Sequence, residues 1–370
     1  MKIGVIDAEL LFHKSHRFPN LACMKIAGYW KAHGHDVKLL DSYEEVHGCG
    51  QVYISKVFTD TAIPEEVLRL PNVRHGGTGF FYDKAPKLPE EIEHHMPDYA
   101  LYEVWLEAWK AAGEKKVKYQ FYRDYSIGFL TRGCFRGCPF CVNKDSRTAL
   151  PASPLSEFLS TERKKICLLD DNFLACKDWE RLLDELAEVQ KPVQFRQGLD
   201  LRMMTRRQMI KLFRECKLDG NVIFAFDDIR DKDIIERKLR LLYETVPIKK
   251  KELKLYVLCG FDRNNQWDRS FWVQDLYETL ERIRFLMKYG CLPYIMRFEM
   301  YRESEYRGMY ITISRWCSQP AQFSKKSLRE FCESEGENSS SCRYLHAFEK
   351  EYSEFAPYFD MQWEDENKMG

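Results

Sequence analysis

The sequence lacks any apolar run approaching the ~20 residues needed to span a bilayer. Met1 leads straight into a strand-like segment, where a secretory leader would place a basic and then an apolar stretch. Neither membrane anchor nor signal peptide is expected, and the chain reads as cytoplasmic. Charge of one sign is also missing: 57 basic residues balance 57 acidic ones, a formal net charge of zero. That balance argues against a broad basic face for nucleic acid, although a local patch is compatible with it. The acidic Glu364-Asp365-Glu366 reads as a solvated end. Absent too is a second Cys-x2-Cys or a His-x3-His pair, so the two separated pairs of a typical structural zinc site are not available.

What is abundant is cysteine, with 13 in 370 residues. A disulfide framework would need an oxidising compartment, which nothing here suggests. Several cysteines sit in apolar stretches (Cys167 in KICLLD, Cys259 in YVLCGF, Cys291 before a strand) and are expected to pack as small hydrophobes. Cys317, Cys332 and Cys342 are too widely spaced for a dense auxiliary cluster module and are read the same way, or as surface thiols. Hydrophobic residues at 45% and charged residues at 31% are ordinary for a globular chain, and this length implies two or three domains.

Residues 1–81 alternate strand and helix patterns. KIGVID (2–7), DVKLLD (36–41) and QVYISKVF (51–58) are strand candidates, NVRHGGTGFF (72–81) closes the unit with a fourth strand ending in a glycine-rich turn at Gly76-Gly77, and 21–33 is helical up to Gly34. Crossover-length spacing predicts a small parallel, Rossmann-like domain. Residues 82–125 form a proline-bearing linker and one amphipathic helix, whose Trp105 and Trp109 are packing residues. From 126 to 300 six strands are predicted: 126–131, 166–170, 192–199, 221–226, 253–259 and 293–298. Helices follow the later strands, with Asp178 a candidate N-cap and Thr205/Gln208 a candidate capping box. This pattern predicts a partial (βα)6 TIM-type barrel, with its chemistry at the carboxyl ends of the strands. A mostly helical extension, 301–370, completes an α/β chain.

Directly after the first barrel strand the sequence reads Thr-Arg-Gly-Cys-Phe-Arg-Gly-Cys-Pro-Phe-Cys, residues 131–141. Random placement of the cysteines would give the triple Cys-x3-Cys-x2-Cys in roughly one such chain in a hundred. Cys134, Cys138 and Cys141 can wrap three corners of a cubane cluster and leave the fourth iron open for a chelating substrate. Gly133 and Gly137 suit a loop that must turn tightly. A zinc site completed by a distant fourth ligand is the competing reading.

The motif and its place resemble the radical S-adenosylmethionine (SAM) superfamily. The resemblance implies a [4Fe–4S] cluster on these cysteines, reductive cleavage of SAM, and a 5′-deoxyadenosyl radical that abstracts hydrogen from substrate. It also implies that the ring of Phe140 lies near the adenine. Where many members carry a Gly-Gly-Glu-like stretch at the end of strand two, this chain departs from the pattern with Asp170-Asp171-Asn172. Asp171 and Asn172 can still supply acceptors for the SAM amino group, or else cap the following helix.

Strand three carries Arg196 and Gln197; alternation predicts that Gln194, Arg196 and Gly198 share one face, with the SAM carboxylate a candidate partner for Arg196 and Asp171 the structural alternative. Asp227, with Asp228, would bind ribose hydroxyls or cap a helix, and Gly260 would allow close approach of adenine. Arg297 and Glu299 are candidate substrate contacts.

Residues 1–81 further resemble the cobalamin-binding domain of some superfamily members, through the opening strand, Ser55 and Gly76-Gly77. The Asp-x-His-x-x-Gly signature is missing, since His13 lies six residues after Asp7. The domain is therefore read as a degenerate docking or substrate-recognition unit, with cobalamin the less favoured occupant. The leading function is a radical SAM enzyme acting on a small molecule or peptide, reduced by ferredoxin or flavodoxin. A tRNA methylthiotransferase-like enzyme acting on nucleic acid is the alternative within the superfamily. A non-catalytic metal-binding interaction module is the alternative outside it.

Overall fold

A computed structural model describes residues 1–13, 16–143 and 146–363; the acidic Glu364-Asp365-Glu366 lies outside them. Contacts divide the chain into two compact units, Met1–Val193 and Gln194–Gly370. The architecture is mixed α/β, with three or more strands in each of several parallel sheets. Among the described residues no helix is long and apolar enough to cross a membrane.

The first unit opens with a four-stranded sheet. Its strands β1 (Lys2–Asp7), β2 (Asp36–Leu39), β3 (Gln51–Ser55) and β4 (Val73–Gly76) are ordered β2-β1-β3-β4, and every pairing is parallel. Alternation along β1 places Val5 in one buried cluster and Ile6 in another, so both faces of the sheet are covered. Helices α1 (Ala8–Phe12) and α2 (Leu21–Ala32) follow β1, and α3 (Glu103–Ala111) packs Leu106 with Met24 and Ile26 of α2 in one cluster. Each such side chain contributes about 1.5–3 kcal/mol on burial. Trp105 and Trp109 lean on the same cluster as expected, and Arg17 lies 4.5 Å from the Trp109 ring centroid. Just before α3, the buried Tyr102 hydroxyl bonds Asp7 and thereby fixes the end of β1.

Five further parallel strands and a short sixth fall where the sequence pattern placed them. In the first unit β5 (Tyr125–Gly128) pairs in parallel with β6 (Lys165–Leu168). The helix α4 (Trp179–Val189) follows; Asp178 occupies its N-cap position, but its side chain makes no cap bond and turns to Arg181 instead. The division between the units falls within β7 (Val193–Phe195).

In the second unit β8 (Val222–Ala225), β9 (Leu253–Cys259) and β10 (Leu292–Arg297) form a parallel sheet in that order. The predicted capping box of Thr205 and Gln208 is present at the start of α5 (Arg206–Ile210). Then come α6 (Lys232–Thr245) and α7 (Arg269–Lys288), the latter capped by Asp268, whose side chain accepts Phe271 N. The region after 301 is mostly helical, led by α8 (Arg307–Cys317).

Candidate functional site

The cysteine loop is held at its base before any metal is considered. Thr131–Arg132 pairs antiparallel with Leu150–Pro151 and closes the excursion that carries the three cysteines. Asp170, buried at the end of β6, accepts Thr131 N at 2.6 Å and Thr131 Oγ1 at 2.7 Å. Burial pushes this carboxyl up to about 7 even though the Thr131 and backbone hydrogen bonds pull it down. The next residue, Asp171, accepts Gly133 N at 2.8 Å. Two consecutive carboxylates thus tie the loop to the second strand, and Asp171 spends one oxygen on the loop backbone.

Within the loop the backbone turns as the sequence requires. Gly133 has φ +102°, and a Cβ there would lie 2.1 Å from the Thr148 carbonyl oxygen. Gly137 has φ +59°, a left-handed conformation that favours glycine. Cys134 N donates to the Ser146 carbonyl at 3.2 Å, and Cys141 N to the Cys138 carbonyl at 3.0 Å.

The sulfurs themselves receive donors. Arg136 N and Asn172 Nδ2 each lie 3.4 Å from Cys134 Sγ, and Asn143 N lies 3.4 Å from Cys141 Sγ. Donors aimed at sulfur are among the levers that set cluster potentials. Cys134, Cys138 and Cys141 are all partly exposed, whereas the other cysteines are buried, Cys317, Cys332 and Cys342 included. Burial pushes the Cys317 and Cys332 thiols up. Hence the thiols that are open to solvent are the three on this loop. No three His, Cys, Asp or Glu side chains among the described residues are gathered as ligands of a single ion.

Asn172 is the neighbour with most to offer. It is 3% exposed, its Nδ2 is directed at Cys134, and its Oδ1 is buried without a partner. The capping alternative fails for this side chain: Asn172 precedes the short helical turn Phe173–Ala175 but makes no cap bond. Phe140 is half-buried, and its carbonyl accepts the Tyr82 hydroxyl at 3.1 Å. Tyr82, which the sequence pattern did not single out, sits at φ +48°, and only the fold brings it to the loop.

These features fit a [4Fe–4S] cluster with SAM beside it. The donor set is three partly exposed thiols on one tightly turning loop, with sulfur-directed N–H groups and one orphaned amide oxygen at the margin.

The remaining predicted residues belong to the second unit. Strand three is shorter than expected: after Phe195 the chain turns, so Arg196 and Gln197 are exposed in a turn and do not continue the strand's alternation. Gly198 at φ +89° ends that turn, and the Arg196 carbonyl accepts the Tyr256 hydroxyl. The interior arginine inferred from alternation is therefore corrected.

Asp227 closes β8; burial raises its carboxyl to about 6, against the pull of Arg282, and Leu258 N donates to it at 3.2 Å. The capping role belongs to Asp228, through Arg230 N. Gly260 has φ +77°, and the space a Cβ would need is taken by Tyr301, 3.1 Å away; its N–H donates to the buried Asp275. Its close approach is to the chain's own Tyr301. Arg297 lies over the Tyr301 ring, and Glu299 is exposed.

No family model matches the sequence, and no curated protein matches it. Among solved structures, the chain is similar to the cobalamin-dependent S-adenosylmethionine radical enzyme OxsB with aqua-cobalamin bound, at TM-score 0.35 and 12% identity. It is similar to the apo, selenomethionine-labelled form at TM-score 0.37 and 12% identity. In each case 80% of this chain is covered, and the chain spans about half (49%) of the length of the structure it matches.

Proposed function

We propose that this chain is a radical SAM enzyme whose [4Fe–4S] cluster is held by Cys134, Cys138 and Cys141. The observation that carries the reading is the cysteine loop itself: three accessible thiols at Cys-x3-Cys-x2-Cys spacing, at the carboxyl end of a parallel strand, with N–H donors aimed at two of the sulfurs. When bound, the cluster supplies the electron that cleaves SAM to a 5′-deoxyadenosyl radical.

The chain's own residues do the rest. Gly133 and Gly137 allow the tight backbone turns of the loop that carries the three cysteines. Asp170 and Asp171 hold the base of the loop to the end of β6. Asn172 steadies Cys134 through Nδ2 and keeps Oδ1 as an acceptor for the ammonium group of SAM. Phe140 flanks the last cysteine, its backbone braced by Tyr82.

The six parallel strands support the finer reading of a partial (βα)6 barrel over 126–300, preceded by a Rossmann-like domain over 1–81, a linker and helix over 82–125, and a helical extension over 301–370. The proposed substrate is a small molecule or peptide, and the electron donor a reduced ferredoxin or flavodoxin.

Cobalamin is the less favoured occupant of the N-terminal sheet. Asp7 and Glu9 are buried at its carboxyl end, and each has an oxygen without a partner. Buried acceptors without partners call for a ligand that brings donors to them.

Anaerobic reconstitution with iron and sulfide, followed by SAM and dithionite, tests the proposal. 5′-Deoxyadenosine from the wild type and none from Cys138→Ala is the expected result. An intact wild-type chain that assembles no cluster overturns it in favour of a zinc module.

A further inference from the structure

The first unit carries a second polar centre, away from the cysteine loop. The order β2-β1-β3-β4 reverses between β1 and β3, and open parallel sheets bind ligands outside the carboxyl ends of the strands at such a point. β1 ends there in Asp7. One Asp7 oxygen accepts the Tyr102 hydroxyl at 2.8 Å; the other, Oδ1, is buried without a partner.

Two residues on, Glu9 is fully buried. Its Oε1 accepts Val57 N at 2.9 Å, Phe58 N at 3.1 Å and Thr61 Oγ1 at 3.0 Å, while Oε2 has none. The Tyr43 hydroxyl is a third buried polar atom without a partner. These groups feel one another. Burial, then Glu9 and Asp7, push the Tyr43 phenol up to about 12, and burial together with Glu9 raises Asp7 to about 7.

Buried acceptors left unmatched are costly, and a ligand bringing donors to both offsets that cost. The surrounding loops specify more. Phe12 and Phe58 are 46% and 49% exposed, unusual for phenylalanine, and each rings the same end of the sheet: His13 meets Phe12 at 4.7 Å and Phe58 at 6.1 Å between centroids. Unmatched acceptors and exposed phenylalanine rings at one end of the sheet suit a cation, because ring faces attract positive charge as carboxylates do.

We propose that this edge is a recognition site for an organic cation, a protonated amine on a flat apolar body. Asp7 Oδ1 and Glu9 Oε2 receive the ammonium, and Phe12 and Phe58 cover the body. The loop after β4 connects this edge to the cysteines: Gly79 N donates to the Lys56 carbonyl, Thr78 Oγ1 to the Val57 carbonyl, and Tyr82 to the Phe140 carbonyl. As the place where the radical's substrate is recognised, the site rests on the function proposed above; as a binding site it does not.

Calorimetric titration of the full chain with tyramine, and with its neutral counterpart 4-ethylphenol, tests the site. Tyramine should bind at least tenfold more tightly than 4-ethylphenol. Asp7→Asn should weaken tyramine at least fivefold. Phe58→Ala, an exposed position whose loss leaves the core intact, should weaken it about threefold or more. Equal binding of the two probes, no binding of tyramine, or tyramine binding indifferent to Phe58→Ala overturns the proposal, and so does hydroxocobalamin displacing tyramine from the wild type. Cys138→Ala should bind tyramine as the wild type does. Tyramine binding in a chain that yields no 5′-deoxyadenosine would sink the radical reading and leave this site standing, and the reverse outcome would do the opposite.

Discussion

The side-chain amide of Asn172 points its nitrogen at Cys134 Sγ, 3.4 Å away, and leaves its oxygen buried without a partner. One small side chain thus touches a proposed iron ligand with one end and offers an acceptor with the other. Replacing Asn172 by Ala should keep the cluster and weaken SAM roughly tenfold or more, since a hydrogen bond to a charged group contributes about 1.5–3 kcal/mol. Asn172→Asp keeps the acceptor and loses the donor, so it should retain most SAM affinity while shifting the cluster potential. Equilibrium dialysis with SAM and redox titration separate the two. Unchanged SAM affinity in Asn172→Ala would remove this residue from the site.

Gly133→Ala should lower iron content by more than half after reconstitution. The added methyl would lie 2.1 Å from the Thr148 carbonyl oxygen, at a φ of +102° that a side chain resists. Gly76→Ala is the control: a Cβ there meets nothing within 4 Å. Iron and sulfide assays on the two purified variants give the comparison, and equal iron in both would contradict the loop geometry.

Asp275 makes stability depend on pH. Burial raises its carboxyl to about 6 against the opposing pull of Arg282, the Tyr310 hydroxyl and Gly260 N–H, with Glu278 adding a like charge. The folded chain therefore holds this proton more tightly than the unfolded chain, where the group titrates near 3.8. Its contribution is full below pH 3.8 and is lost as pH rises through about 6, a change of about 3 kcal/mol at 1.36 kcal/mol per unit. Urea unfolding at pH 4.5 and 6.5 should show a smaller change between the two for Asp275→Asn than for the wild type. Identical changes would assign the dependence elsewhere.

Arg282, 2% exposed, ties α7 to the end of β8. Its Nη1 donates to the Phe226 carbonyl at 3.2 Å and the Asp227 carbonyl at 2.7 Å, and its Nη2 to Thr279 Oγ1. Arg282→Met should cost about 3 kcal/mol, because two buried carbonyls lose their donor and Asp227 and Asp275 lose a nearby positive charge. Denaturant midpoints read this directly. A loss below about 1 kcal/mol would mean that water replaces the guanidinium.

Much of the fold was legible because its signals are local. Each strand from KIGVID to PYIMRF carries its own apolar run, and the Thr205–Gln208 box its own spacing. The cysteine triple was legible because cluster ligation needs a fixed spacing on one turn. Arg196 was misplaced because apolar-polar alternation runs on through FRQG, while the backbone leaves the strand at Phe195 and turns through Gly198. Glu9 and Tyr43 went unremarked, and Asp7 served only to mark a missing signature, because their meaning is tertiary: residues 7, 9 and 43 converge only when the sheet reverses its order beside them. A carboxylate ending a parallel strand and another two residues later was the signal available.

The base of the cysteine loop is fastened by Asp170, Asp171, Ser146 and the Thr131–Pro151 pairing, all protein to protein. The iron would then be a guest of the loop and not its scaffold. If the proposed function holds, a chain built this way would keep its loop when the cluster is lost to oxygen and could be recharged in place, so that damage to the cofactor would be an interruption and not the end of the molecule's working life.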